Sequence, residues 1–528
     1  MALAALPAAF RWRISVPAAL AAFAALAAAL PLGGVILAAL FGETADIAPR
    51  DILRYAATSA WLALLVGLVT GAVGSLAAWL VVMHRFPGHG IFAWALALPL
   101  AAPAFALAYA YADLFDVAGP LRIWMRDGLG FDLPFSVRGT GGAVFVLSCA
   151  FYPYVYLAMR AAFLNQSVNV LEAARTLGCD GWQAFRRVAL PMARPSLAAG
   201  VALAVMETLA DYGAVQFLSV QTLTTGVVRA WSVYGSTVSA ARFALPLLAA
   251  AALLLWIERR GRGGRMHEAG NARWRKLDAR PLSGMAAWLA TGFCLLLITA
   301  GLLLPIGWLL WSAVDAQPDW PRLLHAGSRS LALGIAGAMV TVLLATMLAL
   351  GTHRLPMAAR LASLGYATPG AVMAIGLLAP AGLVWNMMPG SGQTIAILLL
   401  IYAYAARLMA AALEPIDAGL TRVTPSMIHA ARSLGRGETA AALAVELPVA
   451  RGAMLTAGLI VFIDVLKELP ATLILRPFNF DTLAVVANNY ALDERLGQAG
   501  PPSILIVALS LPAVIWLTRK IALSRPGT

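Results

Sequence analysis

Apolar runs of about twenty residues, the length of a bilayer-crossing helix, recur along the whole chain. They lie near 17–41, 58–83, 91–115, 141–163, 195–220 and 239–257, and again near 284–311, 330–351, 361–385, 391–413, 452–475 and 503–518. Runs this long cannot be hidden inside a water-facing surface. Only 12% of the 528 residues are Asp, Glu, Lys or Arg and 61% are apolar, where a soluble domain carries about 25% charge. Barrel strands do not compete, because they alternate over about ten residues and these runs are continuous. The expected class is all-α, a polytopic membrane protein of about 12 transmembrane helices.

The charges that remain are placed unevenly. With both termini cytoplasmic, 26 of the Lys and Arg residues fall on inner segments, Arg407 among them, and 11 on outer loops, with Lys467 inside a span. Cations stay on the cytoplasmic side, so this split sets the expected orientation, and the net charge of +13 needs no nucleic-acid partner. The first run follows Arg11 and Arg13. A cleaved signal peptide is its rival reading, but the run exceeds a signal core of about 7 to 15 residues, and a retained helix is expected. The segment 258–283, rich in Gly and Arg, reads as a basic cytoplasmic linker between a first half, 1–257, and a second, 284–528. Its alternative role is binding anionic headgroups, at about 1 kcal/mol per cation.

Several residue types carry little chemistry. Cys149, Cys179 and Cys294 lie far apart without a CxxC pair, so neither disulfide nor zinc is indicated. The histidines are scattered, no metal site is firmly assigned, and His84-Arg85 and His353-Arg354 read as anchors at span ends. Tyr152, Tyr154 and Tyr156 read as an interfacial aromatic belt. Gly67, Gly71 and Gly74 suit close helix packing in lipid.

The two halves repeat at an offset of 257 residues. Leu171-Glu172-Ala173-Ala174-Arg175-Thr176-Leu177-Gly178 aligns with Ile428-His429-Ala430-Ala431-Arg432-Ser433-Leu434-Gly435, and Val188-Ala189-Leu190-Pro191 with Val445-Glu446-Leu447-Pro448. Each copy, near 165–191 and 424–448, reads as a short helix, a turn and another short helix. Ser167 or Asn169 caps the first copy, and Thr424 with Pro425 opens the second. Gly178 and Gly435 supply the left-handed residue that ends a helix. Pro191 and Pro448 mark where the chain is redirected towards the membrane. At the same offset Glu207 and Asp211 match Asp464 and Glu468. Spacing i, i+4 puts each pair on one helix face, and each such charge in the bilayer costs roughly 2.5 to 3.5 kcal/mol. Two readings stand: a cation path lined by acids, or structural pairing with Lys467 as counter-ion.

The pattern of Glu-Ala-Ala, three residues, Gly, nine residues, then an apolar residue, any residue and Leu-Pro resembles the signature loop of the membrane subunits of bacterial ABC importers. The second copy carries His429 in place of the glutamate, which removes a carboxylate and keeps the helical shape. The resemblance implies a type I importer permease fold in two homologous halves, in a bacterial inner membrane. It also implies docking of the loops on two copies of a cytoplasmic ABC ATPase and delivery by a periplasmic binding protein. The coupling residues would be Glu172, Ala173, Ala174, Gly178, Leu190 and Pro191, with His429, Ala430, Ala431, Gly435, Leu447 and Pro448. The chain would be no enzyme and bind no cofactor, since no G-x-x-x-x-G-K-[ST] sequence is present, and ATP and Mg would act on the partner. The runs from Ala210 to Phe217 and from Asp464 to Ala484 resemble fused permeases of the ferric iron importer group. This makes Glu207, Asp211, Tyr212, Asp464, Lys467 and Glu468 the expected translocation path. Thiamine, polyamine and phosphonate importers share the architecture, and a proton-driven secondary transporter and a non-transporting scaffold are the competing classes.

Overall fold

The computed structural model describes residues 16–42, 48–132, 136–164, 166, 176–178, 180–262, 279–314, 316–351, 355–388 and 390–523. Ten helices among them are long and apolar enough to cross a bilayer, and up to twelve spans result if each of two bent pairs counts as one. Helices satisfy their own backbone in a solvent that cannot, and the only strand pairing among the described residues is a two-residue bridge.

Each half sends its first helix to the other. Helix Val16–Phe41 lies on the second half, where the Tyr402 hydroxyl donates to the Ala27 carbonyl at 2.5 Å. A Cβ added at Gly34 would strike the carbonyl of Gly376, and one at Gly376 the carbonyl of Pro31. The backbones are that close because both residues lack a side chain. In return, the helical run Gly284–Ala313 lies on the first half. There the Tyr111 hydroxyl donates to the Ala300 carbonyl at 2.6 Å and Trp308 Nε1 to Asp113 Oδ2 at 2.7 Å.

Several expected spans are broken. The run 91–115 stops at Ala102-Pro103 and turns by 89° into Ala104–Phe115. The run 361–385 stops at Thr368-Pro369 between Pro356–Ala367 and Gly370–Met387. The runs 195–220 and 452–475 stop after Ala210 and Leu466. Proline accounts for three of the four breaks, since it removes a backbone donor and crowds the preceding turn. Proline also explains three π-turns, Phe185–Ala189, Thr299–Leu303 and Ala442–Glu446. Each stands just before a Leu-Pro pair, Leu190-Pro191, Leu304-Pro305 or Leu447-Pro448, and one extra residue in the turn relieves the clash. Pro448 therefore does not redirect the chain, because Ala442–Leu466 runs on as one span. In the first half the 77° bend falls at Ala193, beyond Pro191.

Other sequence expectations change as well. Helix Thr237–Arg262 continues into the linker, and Arg280–Pro281 at its far end pairs in parallel with His84–Arg85. His84 is thus part of a bridge between linker and first half, with its ring edge-on to Trp79 at 6.0 Å. His353 lies outside the described residues. Tyr152 and Tyr156 form no interfacial belt: both are buried, and Tyr156 donates to the Ala93 carbonyl at 2.9 Å. Gly74 packs as expected, with room for no Cβ beside Val155 Cβ at 2.8 Å.

The crossed helix gives a direct test. Gly376→Val is expected to lower the midpoint of thermal unfolding in detergent by several degrees, an overpacking cost of about 1 to 3 kcal/mol. Gly33→Ala, where nothing lies within 4 Å of the added carbon, should leave the midpoint where it is. Equal midpoints for the two variants would contradict the packing described.

Candidate functional site

Helix Arg194–Ala210 ends one residue before Asp211, whose φ of −65° and ψ of 136° are extended. Asp211 therefore does not share a helical face with Glu207. It turns instead to the next helix, Gly213–Phe217, and accepts from the backbone N–H groups of Ala214 at 3.0 Å and Val215 at 3.1 Å. The second half does the same. Helix Leu447–Leu466 ends before Lys467, and the Glu468 carboxylate accepts from Ala471 N at 3.2 Å and Thr472 N at 3.3 Å at the start of Pro470–Leu475. All three positions in each set are related by the offset of 257. A helix start inside the membrane has N–H groups without partners and a positive dipole end, and a carboxylate serves both.

The cations are not repeated. Arg407 lies half-buried within helix Gly392–Leu420, not in a cytoplasmic segment as its place in the charge count required, and its Nη1 is 3.3 Å from Glu468 Oε1. Lys467 Nζ is 2.9 Å from Asp464 Oδ1. At the equivalent positions, 150 and 210, the first half has alanine. A Cβ at Gly370 would strike Glu468 Oε1, so a side chain there would displace the carboxylate. Tyr404 and Thr472 share a 2.6 Å hydrogen bond behind it.

These groups meet across the two halves. A cavity of about 80 Å³ is lined by Glu207, Asp211 and Tyr212 from the first half and by Arg407, Asp464, Lys467 and Glu468 from the second. All six expected path residues are therefore brought together, with Arg407 added. Among the described residues Glu207 alone of the four acids has neither an ion pair nor a capping hydrogen bond. No group of three or more His, Cys, Asp or Glu side chains among the described residues is arranged to hold a metal ion. The acids and cations thus line one cavity to which both halves contribute.

The two signature loops lie apart from this cavity's lining residues. Glu172, Ala173 and Ala174, and the capping residues Ser167 and Asn169, lie outside the described residues. Gly178 and Gly435 have φ of 85° and 80°, the left-handed conformation expected. Just before them Leu177 and Leu434 are 85% and 81% exposed, an apolar side chain at the same motif position in each loop. His429 and Ala430 are exposed and Ala431 is buried on helix Pro425–Ser433. Thr424 precedes that helix, but its hydroxyl bonds Ser426 Oγ at 2.8 Å and caps no backbone group. Leu190 and Pro191 sit half-buried beyond the first π-turn, whose Ala189 carbonyl accepts from Gln166 Nε2 at 2.8 Å. Leu447 and Pro448 follow the second π-turn, half-buried and exposed.

Comparison with known proteins gives one consistent family. Residues 71–260 match the binding-protein-dependent transport system inner membrane component family. The chain is similar to the Fe(3+)-transport system permease protein FbpB 2 of Haemophilus influenzae, at 24% identity over 87% of this chain and 88% of that protein. It is also similar to the sulfate transport system permease protein CysT of Escherichia coli K12, at 32% identity over 32% of this chain and 60% of that protein. The molybdenum transport system permease protein ModB of the same organism is 31% identical over 29% of this chain and 69% of that protein.

Arg407 is the hinge of the charge arrangement, and its removal is informative. Arg407→Ala leaves Glu468 buried without its counter-ion and is expected to destabilise the protein by about 3 to 5 kcal/mol, read as loss of folded protein in detergent. Arg407→Met combined with Glu468→Gln should recover most of that loss. A single variant as stable as the parent would show that the pair is idle.

Proposed function

The chain belongs to the family of binding-protein-dependent transport system inner membrane components, and from that premise we propose that it is the ATP-coupled import pathway for ferric iron. Glu207, which among the described residues caps no helix and has no ion pair within 4 Å but faces Arg407 and Lys467 in the cavity shared by both halves, carries this reading. A path must run where the halves part. The four carboxylates there offer the hard oxygen ligands that suit a highly charged cation, too loosely arranged to trap it.

The iron assignment draws support from the Haemophilus influenzae iron permease, the relative here whose similarity spans both halves. A second reading has one observation behind it. Arg407 and Lys467 also line the cavity, and relatives are named for sulfate and molybdenum transport, so an oxyanion could be the cargo. Against it, each cation is already matched by Glu468 or Asp464.

Energy comes from two cytoplasmic ATPase subunits docked on the two signature loops, with both termini of this chain on the same side. A periplasmic binding protein supplies the substrate while the halves gape outward. When the ATPases close, Leu177 and Leu434 with the short helices beside them carry the motion through the π-turns to Arg194–Ala210 and Leu447–Leu466. Those helices end at the acids, so loop movement reaches the cavity directly. The crossed first helices keep the halves engaged as they rock.

Two measurements follow. Glu207→Gln in the complete transporter, reconstituted with its ATPase and binding protein, is expected to lower ferric iron uptake about tenfold, equivalent to ~1.4 kcal/mol, with sulfate and molybdate uptake absent throughout. Sulfate or molybdate uptake by the parent would select the oxyanion reading. Gly178→Val with Gly435→Val forces β-branched residues into the left-handed region, at a cost of about 1 to 2 kcal/mol for each. It should abolish stimulation of ATP hydrolysis by the loaded binding protein. Full stimulation in that variant would place coupling elsewhere.

A further inference from the structure

On the lipid-facing side of the first half an apolar groove of about 580 Å³ runs between Pro49–Met83 and Arg194–Ala210. From Ala63 to Leu76 it extends about 20 Å along the helix, at ~1.5 Å per residue. One leaflet of the hydrocarbon core is about 15 Å deep. Gly67 and Gly71 form its floor, packed so closely on Val205 and Val201 that an added Cβ would meet them at 3.0 and 3.2 Å, while Leu64, Leu68 and Ala72 stand exposed along the rim. The polar atom of Ser75 is already used, since its hydroxyl donates to the Gly71 carbonyl at 2.6 Å.

One end of the groove is charged. Phe185 and the exposed Trp182 close it at the signature loop, and the next two residues of the π-turn are Arg186 and Arg187, both exposed. Among the described residues neither makes an ion pair, and the nearby Asp180 is engaged in capping Gln183 N at 2.6 Å. Apolar walls long enough to cross one leaflet, ending in two cations beside an exposed tryptophan, match an anionic amphiphile at the membrane surface.

The second half lacks both parts. An offset of 271 relates Thr70 to Thr341 and Ser59 to Ser330, which make the same hydrogen bonds. It puts Ala338 and Val342 where the first half has Gly67 and Gly71. Phe462, in place of Val205, lies so close to Gly334 that a Cβ there would sit 2.9 Å from its ring. Leu443 and Ala444 stand where the first half has Arg186 and Arg187.

We propose that the groove binds an anionic phospholipid of the cytoplasmic leaflet, with one acyl chain lying along the seam of the two helices and the phosphate on Arg186 and Arg187. The headgroup holds the second limb of the first signature loop, so bilayer composition tunes coupling through one half of the transporter only. The choice of leaflet rests on the cytoplasmic orientation of that loop.

The full chain in nanodiscs of mixed phosphatidylglycerol and phosphatidylcholine, analysed by native mass spectrometry, tests this. The parent should retain phosphatidylglycerol preferentially. Arg186→Gln with Arg187→Gln should cut that preference by about fivefold per arginine, and Ala72→Trp, which fills the groove from its exposed rim, should remove retention of either lipid. Equal retention of the two lipids by the parent, or undiminished retention in Ala72→Trp, would overturn the site. Arg186→Cys in a background without the three native cysteines separates this from orientation. Labelling by an impermeant thiol reagent only from outside the cell would refute the cytoplasmic leaflet, whereas labelling only from inside supports it.

Discussion

A helix that stops inside a bilayer leaves backbone groups with no water to take them, and here carboxylates take them at equivalent points of the two halves. Asp211 caps Gly213–Phe217 and Glu468 caps Pro470–Leu475. The rest of the site follows from that arrangement. A carboxylate at a helix start is stabilised without a cation, so acids can be kept at the interface between halves at a cost the fold can meet. The breaks also end the helices that rise from the signature loops, Arg194–Ala210 and Leu447–Leu466, so each loop and its acids lie at opposite ends of one helix.

The capping is symmetric, while the charge is not. Arg407 and Lys467 belong to the second half, and their counterparts in the first are Ala150 and Ala210. Glu468 therefore carries both a cap and an ion pair, Asp464 an ion pair, Asp211 a cap, and Glu207 neither. Fusing two permease halves in one chain lets them diverge in this way, because each position is encoded once in each half. The lipid-facing groove, present beside the first signature loop and filled beside the second, is the same divergence on the outside of the protein.

Much of this was legible in the residues. Apolar length gave the helices, the 257-residue offset matched the acids that cap equivalent helix starts, and glycine in the left-handed region was deducible at Gly178 and Gly435 because a helix followed by a turn needs it. The acids were found by their cost in lipid. Their geometry was not, since an i, i+4 spacing assumes a continuous helix and proline or a capping carboxylate can end one sooner. Arg407 lay within the apolar run 391–413, which was signal enough to place it in the membrane, but counting cations by loop hid it. Tyr152 and Tyr156 read as a belt because tyrosine favours both interfaces and packed cores, and only the position of neighbouring helices decides between them. The π-turns were visible as Leu-Pro pairs after helical sequence, a pattern whose meaning depends on the helix continuing through it.

If the cavity between the halves is part of the substrate path, its lining must change exposure as the transporter works. A single cysteine at Ala210, which lines that cavity, in a chain otherwise free of cysteine, tests this in the assembled transporter. A small thiol reagent is expected to react faster when binding protein and ATP are cycling than at rest, and loaded substrate to slow the reaction. A cysteine there that stays unreactive in every state would contradict it.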